Sequence, residues 1–288
     1  MFDDRLQSAS TPSCSPVRFR LVGGAQPLLL VPVHVNERGP FQFILDTGAG
    51  TSIVTPALAA SLQIRSIGSK EGHTAGGPVT VQRTSVGSLG IGDLRRENLE
   101  VAIADLGQIA RTIGADLDGD LGYNFLKHFR LTIDFRALEL RLEDPRRYEY
   151  FGPRPLAELP MRLAHPAKPL ILVAAQVNGH GPFQFAIDTG TSTSAISAQL
   201  ARDFGLRGEP IGLGTTGGAP VAMSAATIEA LTIGGAEVRD LEVVIADFLA
   251  MLSQVVGSSL DGIVGYNFLR NFKVAIDYPN ESFSLFSV

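Results

Sequence analysis

The chain has 288 residues, of which 45% are hydrophobic, and this length suits about two domains of the usual 100–200 residues. Basic and acidic residues number 24 and 29, so the net charge of −5 gives no reason to expect nucleic acid or an anionic membrane as a partner. A single cysteine excludes an intramolecular disulfide and a thiolate-only metal site, and no apolar run reaches the roughly 18 residues that a membrane span needs.

Residues 1–16 are predicted to form a flexible N-terminal tail. They contain Asp3 and Asp4 and lack the apolar segment of a signal peptide. The chain as written is therefore expected in the cytoplasm, or in the periplasm or outside the cell if a leader has been removed.

The first half of the chain is predicted to be mainly β. Short segments rich in Val, Ile and Phe occur at 28–35, 41–45 and 130–135, and Gly, Pro and Asn turns separate them. Short helices are predicted at 55–62, where proline occupies the first turn, and at 124–129.

A proline-rich connector divides the chain. Residues 144–158 contain three prolines and several charged residues, a composition typical of exposed linkers. The predicted lobes on either side are 17–143 and 159–288.

The second half repeats the first half. Residues 169–194 align without gaps to 27–52 with 16 identities in 26, and residues 261–277 align to 118–134 with 10 identities in 17. The predicted strands and helices recur at 170–177, 183–187, 197–204, 267–272 and 273–278. The chain is therefore a duplicated domain.

The predicted fold is all-β, with two homologous β-barrel-like lobes. The outermost strands of both copies are expected to form a shared sheet between the lobes, beneath a cleft. These strands are 17–21, 138–142, 159–163 and 283–286.

Each copy carries Asp-Thr-Gly directly after an apolar strand, which places the carboxylates of Asp46 and Asp188 in equivalent positions. An isolated carboxylate at the end of an apolar strand is costly, but a pseudo-twofold arrangement brings the two together. Two carboxyl groups about 3 Å apart share one proton, so one acts as a base and the other as an acid toward a water held between them. This chemistry suits hydrolysis of peptide bonds.

These motifs resemble the pepsin and retropepsin superfamily of aspartic proteases. The resemblance rests on Asp46-Thr47-Gly48 and Asp188-Thr189-Gly190, together with the later Gly-Tyr-Asn turns at 122–124 and 265–267. It covers residues 17–142 and 159–286 and is closest to the bacterial retropepsin-like type with both lobes in one chain. It implies an aspartic endopeptidase with Asp46 and Asp188 as the catalytic dyad, a peptide or protein substrate, no cofactor or metal, and a monomer.

The resemblance also suggests which residues support the dyad. The supporting residues would be Thr47, Gly48, Thr189, Gly190 and Thr191. Two flaps would close over the substrate around 72–81 and 212–223, with glycine pairs at their tips. These glycines are Gly76, Gly77, Gly217 and Gly218.

The two Asp loops differ at one position, where Ala49 in the first copy corresponds to Thr191 in the second. A threonine hydroxyl can donate a hydrogen bond to Asp188, whereas an alanine side chain offers nothing to Asp46. This difference predicts that Asp188 is the ionised member and Asp46 carries the proton.

Several alternatives remain open. A catalytically silent peptide-binding module on the same fold is the alternative, and the presence of both Asp residues and both Thr-Gly pairs favours the protease over it. The acidic stretch Asp116, Asp118 and Asp120 does not fit a calcium loop and is interpreted as a solvated turn. The five histidines show no metal-binding spacing. Neither the natural substrate nor the pH optimum is predicted.

Overall fold

The computed structural model describes residues 15–74, 77–144, 153–166, 168–214 and 221–288, and within them the chain is mainly β. The elements of the first copy are β1 (Val17–Arg18), β2 (Arg20–Val22), β3 (Leu28–Val35), β4 (Arg38–Leu45), β5 (Ile53–Val54), α1 (Pro56–Ser61), β6 (Gly68–Thr74), β7 (Gly77–Ile91), β8 (Leu94–Ile103), α2 (Gly107–Ile113), β9 (Gly119–Leu121), α3 (Tyr123–Leu126), β10 (Arg130–Asp134) and β11 (Glu139–Glu143).

The second copy repeats these elements in the same order. They are β12 (Ala157–Pro160), β13 (Arg162–His165), β14 (Lys168–Val177), β15 (His180–Ile187), β16 (Ala195–Ser197), α4 (Ala198–Asp203), β17 (Glu209–Gly214), β18 (Val221–Ile233), β19 (Ala236–Ala246), α5 (Phe248–Val256), β20 (Gly262–Val264), α6 (Tyr266–Leu269), β21 (Lys273–Asp277) and β22 (Ser282–Phe286). Each strand thus has its counterpart eleven strands later, which confirms the predicted pair of β lobes. Of the predicted linker, residues 145–152 lie outside the described part of the chain.

Each lobe is built on one eight-stranded sheet. The strand order in the first lobe is β2-β3-β4-β9-β5-β8-β7-β6, and the second lobe has the same order among its counterparts. A further pairing of β3 with β7, repeated between β14 and β18, curls each sheet toward a barrel. The short strand β9 runs parallel to β4, so the carboxyl ends of both strands lie at the same edge. This edge faces the other lobe.

A six-stranded sheet joins the lobes, as the sequence predicted. Its order is β1-β11-β10-β21-β22-β12, and antiparallel pairing of β10 with β21 forms its centre. Thr132 pairs with Ala275 at the midpoint, so the pseudo-twofold axis passes between these two equivalent residues. Residues 20–21 and 162–163, predicted to lie in this sheet, instead belong to β2 and β13 of the lobe sheets.

Two ion pairs cross the centre of this sheet in equivalent positions. Arg130 Nη1 lies 3.5 Å from Asp277 Oδ2, and Lys273 Nζ lies 2.9 Å from Asp134 Oδ2. The lobes are therefore joined by charge as well as by backbone hydrogen bonds. One continuous apolar core beneath the sheet contains Phe125 and Phe268 from the two copies.

The helices are short, and four of the six were predicted. Helix α1 begins where the Thr55 hydroxyl accepts a hydrogen bond from Leu58 N at 3.3 Å, and α4 begins at Ser197 in the same way. Helices α2 and α5 were not predicted, and the N-cap residue of neither makes a side-chain hydrogen bond, although Asp105 Oδ1 accepts from Gly107 N at 2.7 Å at the start of α2. In the described part of the chain no helix is long and apolar enough to span a membrane.

Candidate functional site

The two Asp-Thr-Gly loops follow β4 and β15 at the junction of the lobes. Asp46 N donates to Leu121 O at 3.1 Å, and Asp188 N donates to Val264 O at 3.0 Å. These bonds extend the parallel pairing of each loop strand with β9 or β20. Both carboxylates are therefore fixed by sheet backbone and point into the junction.

The threonines of the two loops interlock across the junction. Thr47 N donates to Thr189 Oγ1 at 3.1 Å, and Thr189 N donates to Thr47 Oγ1 at 3.0 Å. Each hydroxyl in turn donates to the opposite strand end, Thr47 to Ile187 O at 2.9 Å and Thr189 to Leu45 O at 2.7 Å. Both threonine residues are completely buried or nearly so. Four hydrogen bonds thus set the relative position of the loops.

Each loop glycine lies against the aspartate of the other lobe. A Cβ on Gly48 would come within 2.6 Å of Asp188 Oδ2, and a Cβ on Gly190 within 2.6 Å of Asp46 Oδ2. No side chain fits at either place, so these glycines are required by close approach. The structure therefore brings together Asp46 and Asp188 with all five predicted supporting residues, since Thr191 also lines the cleft and its N–H donates to Asp188 O at 3.4 Å.

The hydrogen bonds to the two carboxylates differ, and the predicted role of Thr191 is wrong. Asp46 Oδ1 accepts from Gly48 N at 2.7 Å and from Ala49 N at 3.0 Å, whereas Asp188 Oδ1 accepts from Gly190 N at 2.8 Å. Within the described residues no hydrogen bond joins the Thr191 hydroxyl to Asp188. The backbone at position 49, which side-chain reasoning overlooked, makes Asp46 the better acceptor.

Burial raises the pKa of Asp188 well above its usual range, although its carboxyl keeps some surface toward the cleft. The charge of Asp46 raises this pKa further, while the Gly190 N–H acts in the opposite direction. A raised pKa favours the protonated acid at Asp188. The direction of this pKa shift is opposite to the expectation that Asp188 is the ionised member.

The Gly-Tyr-Asn turns brace the Asp loops from behind. Asn124 Oδ1 accepts from both Ser52 N and Ser52 Oγ at 2.8 Å, while Asn124 Nδ2 donates to Glu100 O at 2.6 Å. The second copy repeats this arrangement around Asn267. A Cβ on Gly122 would meet Ala49 O at 2.8 Å, so this glycine allows the turn to pack directly on the loop. The turns therefore act as structural supports.

Asp120 is a third carboxyl group at the site, and its interpretation as part of a solvated turn is wrong. It is the middle residue of β9 and only 6% exposed, and its carboxyl lies next to that of Asp46 in the floor of the cleft. The duplication carried a signal for it. Asp120 aligns with Ile263, so the repeat places it at a buried apolar position.

A cleft of about 1240 Å³ lies over the carboxyl groups and is lined by both lobes. Its walls include Ile109 of α2 and Leu252 of α5, the two helices that were not predicted. The hairpins β6–β7 and β17–β18 border it through Val79 and Met223, among other residues. Of the predicted flap glycines, Gly77 opens β7, whereas Gly76, Gly217 and Gly218 lie outside the described residues.

Among the residues that the structure describes, no group of three or more His, Cys, Asp or Glu side chains is arranged to hold a metal ion.

Comparison with known proteins agrees with this geometry. A family model described as aspartyl protease matches residues 31–125 and 173–268, once in each copy and together about two thirds of the chain. No curated protein matches the chain significantly. Each matched range includes one Asp-Thr-Gly loop and one Gly-Tyr-Asn turn.

Proposed function

The chain belongs to the aspartyl protease family, and on that basis we propose that it is an aspartic endopeptidase that hydrolyses peptide bonds. The observation that carries the proposal is the packing of Asp46 and Asp188 against each other's loop glycines. Carboxyl groups this close titrate as a pair and hold one proton over a broad pH range.

We assign the base to Asp46, because two backbone N–H groups stabilise its charge, and the acid to Asp188. A water molecule loses a proton to Asp46 as its oxygen bonds to the carbonyl carbon, and Asp188 gives its proton to the carbonyl oxygen. The proton on Asp46 then passes to the amide nitrogen as the C–N bond breaks, while Asp188 takes back a proton from the diol. No covalent intermediate with the protein forms.

The substrate would lie extended in the cleft between the dyad and the two hairpins. Extended peptides pair with strand edges through backbone hydrogen bonds, and alternate side chains enter pockets. Gly76, Gly77, Gly217 and Gly218 are proposed to give the flaps their mobility. Because both halves of the site are in one chain, a monomer is the proposed active form.

The test is incubation of the full chain with a mixed peptide library from acidic to neutral pH, followed by mass spectrometry. We expect cleavage at internal peptide bonds and inhibition by a statine-type transition-state mimic. The variants Asp46→Asn and Asp188→Asn should each lose on the order of 10³-fold in rate while retaining the circular dichroism spectrum of the wild type. Full activity in either variant would falsify the dyad.

The alternative function is a peptide-binding module without catalysis. It is distinguished by the same library, since such a module retains peptides and releases them uncut at every pH.

A further inference from the structure

Asp120 places a third carboxyl group in the floor of the cleft, on the side of Asp46. It pairs with Ile44 of β4 and Ile53 of β5 in the middle of the lobe sheet. Its 6% exposure makes it one of the few buried acidic side chains among the described residues. The role proposed for the dyad makes no use of it.

The contacts of Asp120 indicate a neutral acid. Its Oδ1 is buried and receives no hydrogen bond from any described donor, while its carboxyl contacts the carboxyl of Asp46. An ionised group in this place would be desolvated without a hydrogen-bond donor to its Oδ1 and would face a second carboxylate. A protonated Asp120 can instead donate its O–H to Asp46.

Electrostatics points the same way. Burial raises the pKa of Asp120 well above its usual range, and the charges of Asp46 and Asp188 raise it further. Lys168 of β14, which also borders the cleft, opposes this rise only in part. Burial also raises the pKa of Tyr278 near Asp46, so this phenol is neutral as well.

We propose that Asp120 is a positioning residue whose protonated carboxyl donates a hydrogen bond to Asp46 and keeps Asp46 the ionised base. This inference rests on the proposed function. Asp46 then receives three donors, namely Gly48 N, Ala49 N and Asp120, against the single backbone donor at Asp188. The proton of the dyad accordingly resides on Asp188.

The second copy shows how the lobes accommodate this difference. There Ile263 occupies the equivalent position and pairs with Ala186 and Ala195. The three residues side by side on neighbouring strands are thus Ile44, Asp120 and Ile53 in the first lobe, and Ala186, Ile263 and Ala195 in the second. The asymmetry of the carboxyl cluster is built into the packing of the sheet.

The competing interpretation is that Asp120 is ionised and anchors a basic side chain of the substrate. The two interpretations differ in the charge of Asp120 in the free protein. Asp120→Asn keeps the size and a hydrogen-bond donor but removes any charge, whereas Asp120→Ala removes the donor. Asn is therefore the conservative variant and Ala the disruptive one.

The first measurement needs no activity. In a carboxyl-carbon NMR titration of the full chain labelled at aspartate, the signal missing from Asp120→Asn identifies Asp120. We expect this signal to remain at its protonated position at a pH of about 6, roughly two units above the ordinary aspartate pKa. Titration of Asp120 in the ordinary range would overturn the proposal, whether or not the protein cleaves peptides.

The second measurement is the pH profile of kcat/KM. We expect Asp120→Asn to leave the acidic limb in place, and Asp120→Ala to move it upward by on the order of one pH unit, because Asp46 loses a donor to its charge. An ionised Asp120 predicts instead that both variants move the limb downward, since both remove a negative charge.

Ile263→Ala is the matched control, because it truncates the equivalent side chain in the other lobe. It should leave the acidic limb where it is in the wild type. An upward shift equal to that of Asp120→Ala would mean that loosening either sheet changes the dyad, and would overturn the proposal. Circular dichroism and thermal unfolding establish that each variant is folded.

Discussion

Asp46 and Asp188 have equivalent positions in the two copies but different surroundings. The difference comes from two sources, which are the backbone N–H of Ala49 and the carboxyl of Asp120. Neither depends on the Asp-Thr-Gly motif, since the motif itself is the same in both copies. On the proposed function, residues around the motif therefore decide which carboxyl group holds the proton.

The raised pKa of Asp188 predicts how stability depends on pH. The unfolded chain releases this proton near pH 4 while the folded chain retains it, so stability falls as pH rises, by at most about 1.4 kcal/mol per pH unit, until the raised pKa is passed. Asp188→Asn removes this loss. We expect the variant to gain stability over the wild type as pH increases from about 4 to about 7.

Urea unfolding at several pH values measures this difference. Asp93→Asn, a change of an exposed carboxylate, serves as the control and should show no such trend. A stability difference for Asp188→Asn that does not grow with pH contradicts the prediction.

At the scale of the elements, hydrogen bonds from the Gly-Tyr-Asn turn behind it hold each Asp loop in place. Asn124 joins the Asp46 loop to the end of β9 and to the backbone of β8, and Asn267 does the same in the second lobe. The serine that each asparagine holds is fully buried, so its N–H has no access to water. Each Asp loop and its turn are therefore joined by buried hydrogen bonds.

Replacing Asn124 by Ala should destabilise the protein by about 2–3 kcal/mol, because the buried Ser52 N–H and the Glu100 carbonyl lose their partner. Asn124→Asp retains the acceptor for Ser52 but turns a second oxygen toward the Glu100 carbonyl oxygen, so it should be destabilised as well. Chemical denaturation gives both values, and wild-type stability in Asn124→Ala would argue against the brace.

The sequence predicts elements well where local signals exist. Strand β3 spans the predicted residues 28–35, because its side chains are apolar at every position except His34, and α1 is marked by a capping threonine followed by proline. The residues before helices α2 and α5, Leu106 and Asp247, make no capping side-chain hydrogen bond, and the signals that remained, the left-handed glycines Gly114 and Gly257 at the ends, were not used.

For the site, the duplication identified the two Asp loops and their partners. Asp120 was misinterpreted because its burial comes from pairing with β4 and β5, which are distant in sequence. Likewise, the donor at Ala49 is a backbone group, and its direction depends on the loop conformation rather than on the residue type.

At the scale of the whole molecule, the six-stranded sheet and the interlocked threonines hold the two lobes in one arrangement. The two ion pairs of this sheet are equivalent in position but differ in burial. The side chains of Arg130 and Asp277 are 11% and 6% exposed, whereas those of Lys273 and Asp134 are 42% and 21% exposed. We therefore expect the two equivalent ion pairs to contribute differently to the free energy of unfolding.

Arg130→Met should therefore destabilise the protein by about 3 kcal/mol, because it leaves Asp277 and the nearby Glu143 as buried acids without their cation. Lys273→Met is the matched variant at the equivalent position and should cost about 1 kcal/mol or less. Urea denaturation at neutral pH compares the two variants. Equal losses of stability would contradict the prediction that the more buried ion pair contributes more.

The charge order at the centre of this sheet has a consequence for assembly. Each half carries a cation at the start of its central strand and an anion at the end, Arg130 and Asp134 in one and Lys273 and Asp277 in the other. Two identical halves meeting in the same register would again place a cation opposite an anion. Charge alone therefore does not favour pairing of the first copy with the second over pairing of two identical copies. The covalent connection favours pairing of the first copy with the second, because it raises the effective concentration of each copy near the other. If the halves were produced as separate polypeptides, symmetric self-pairs would compete with it.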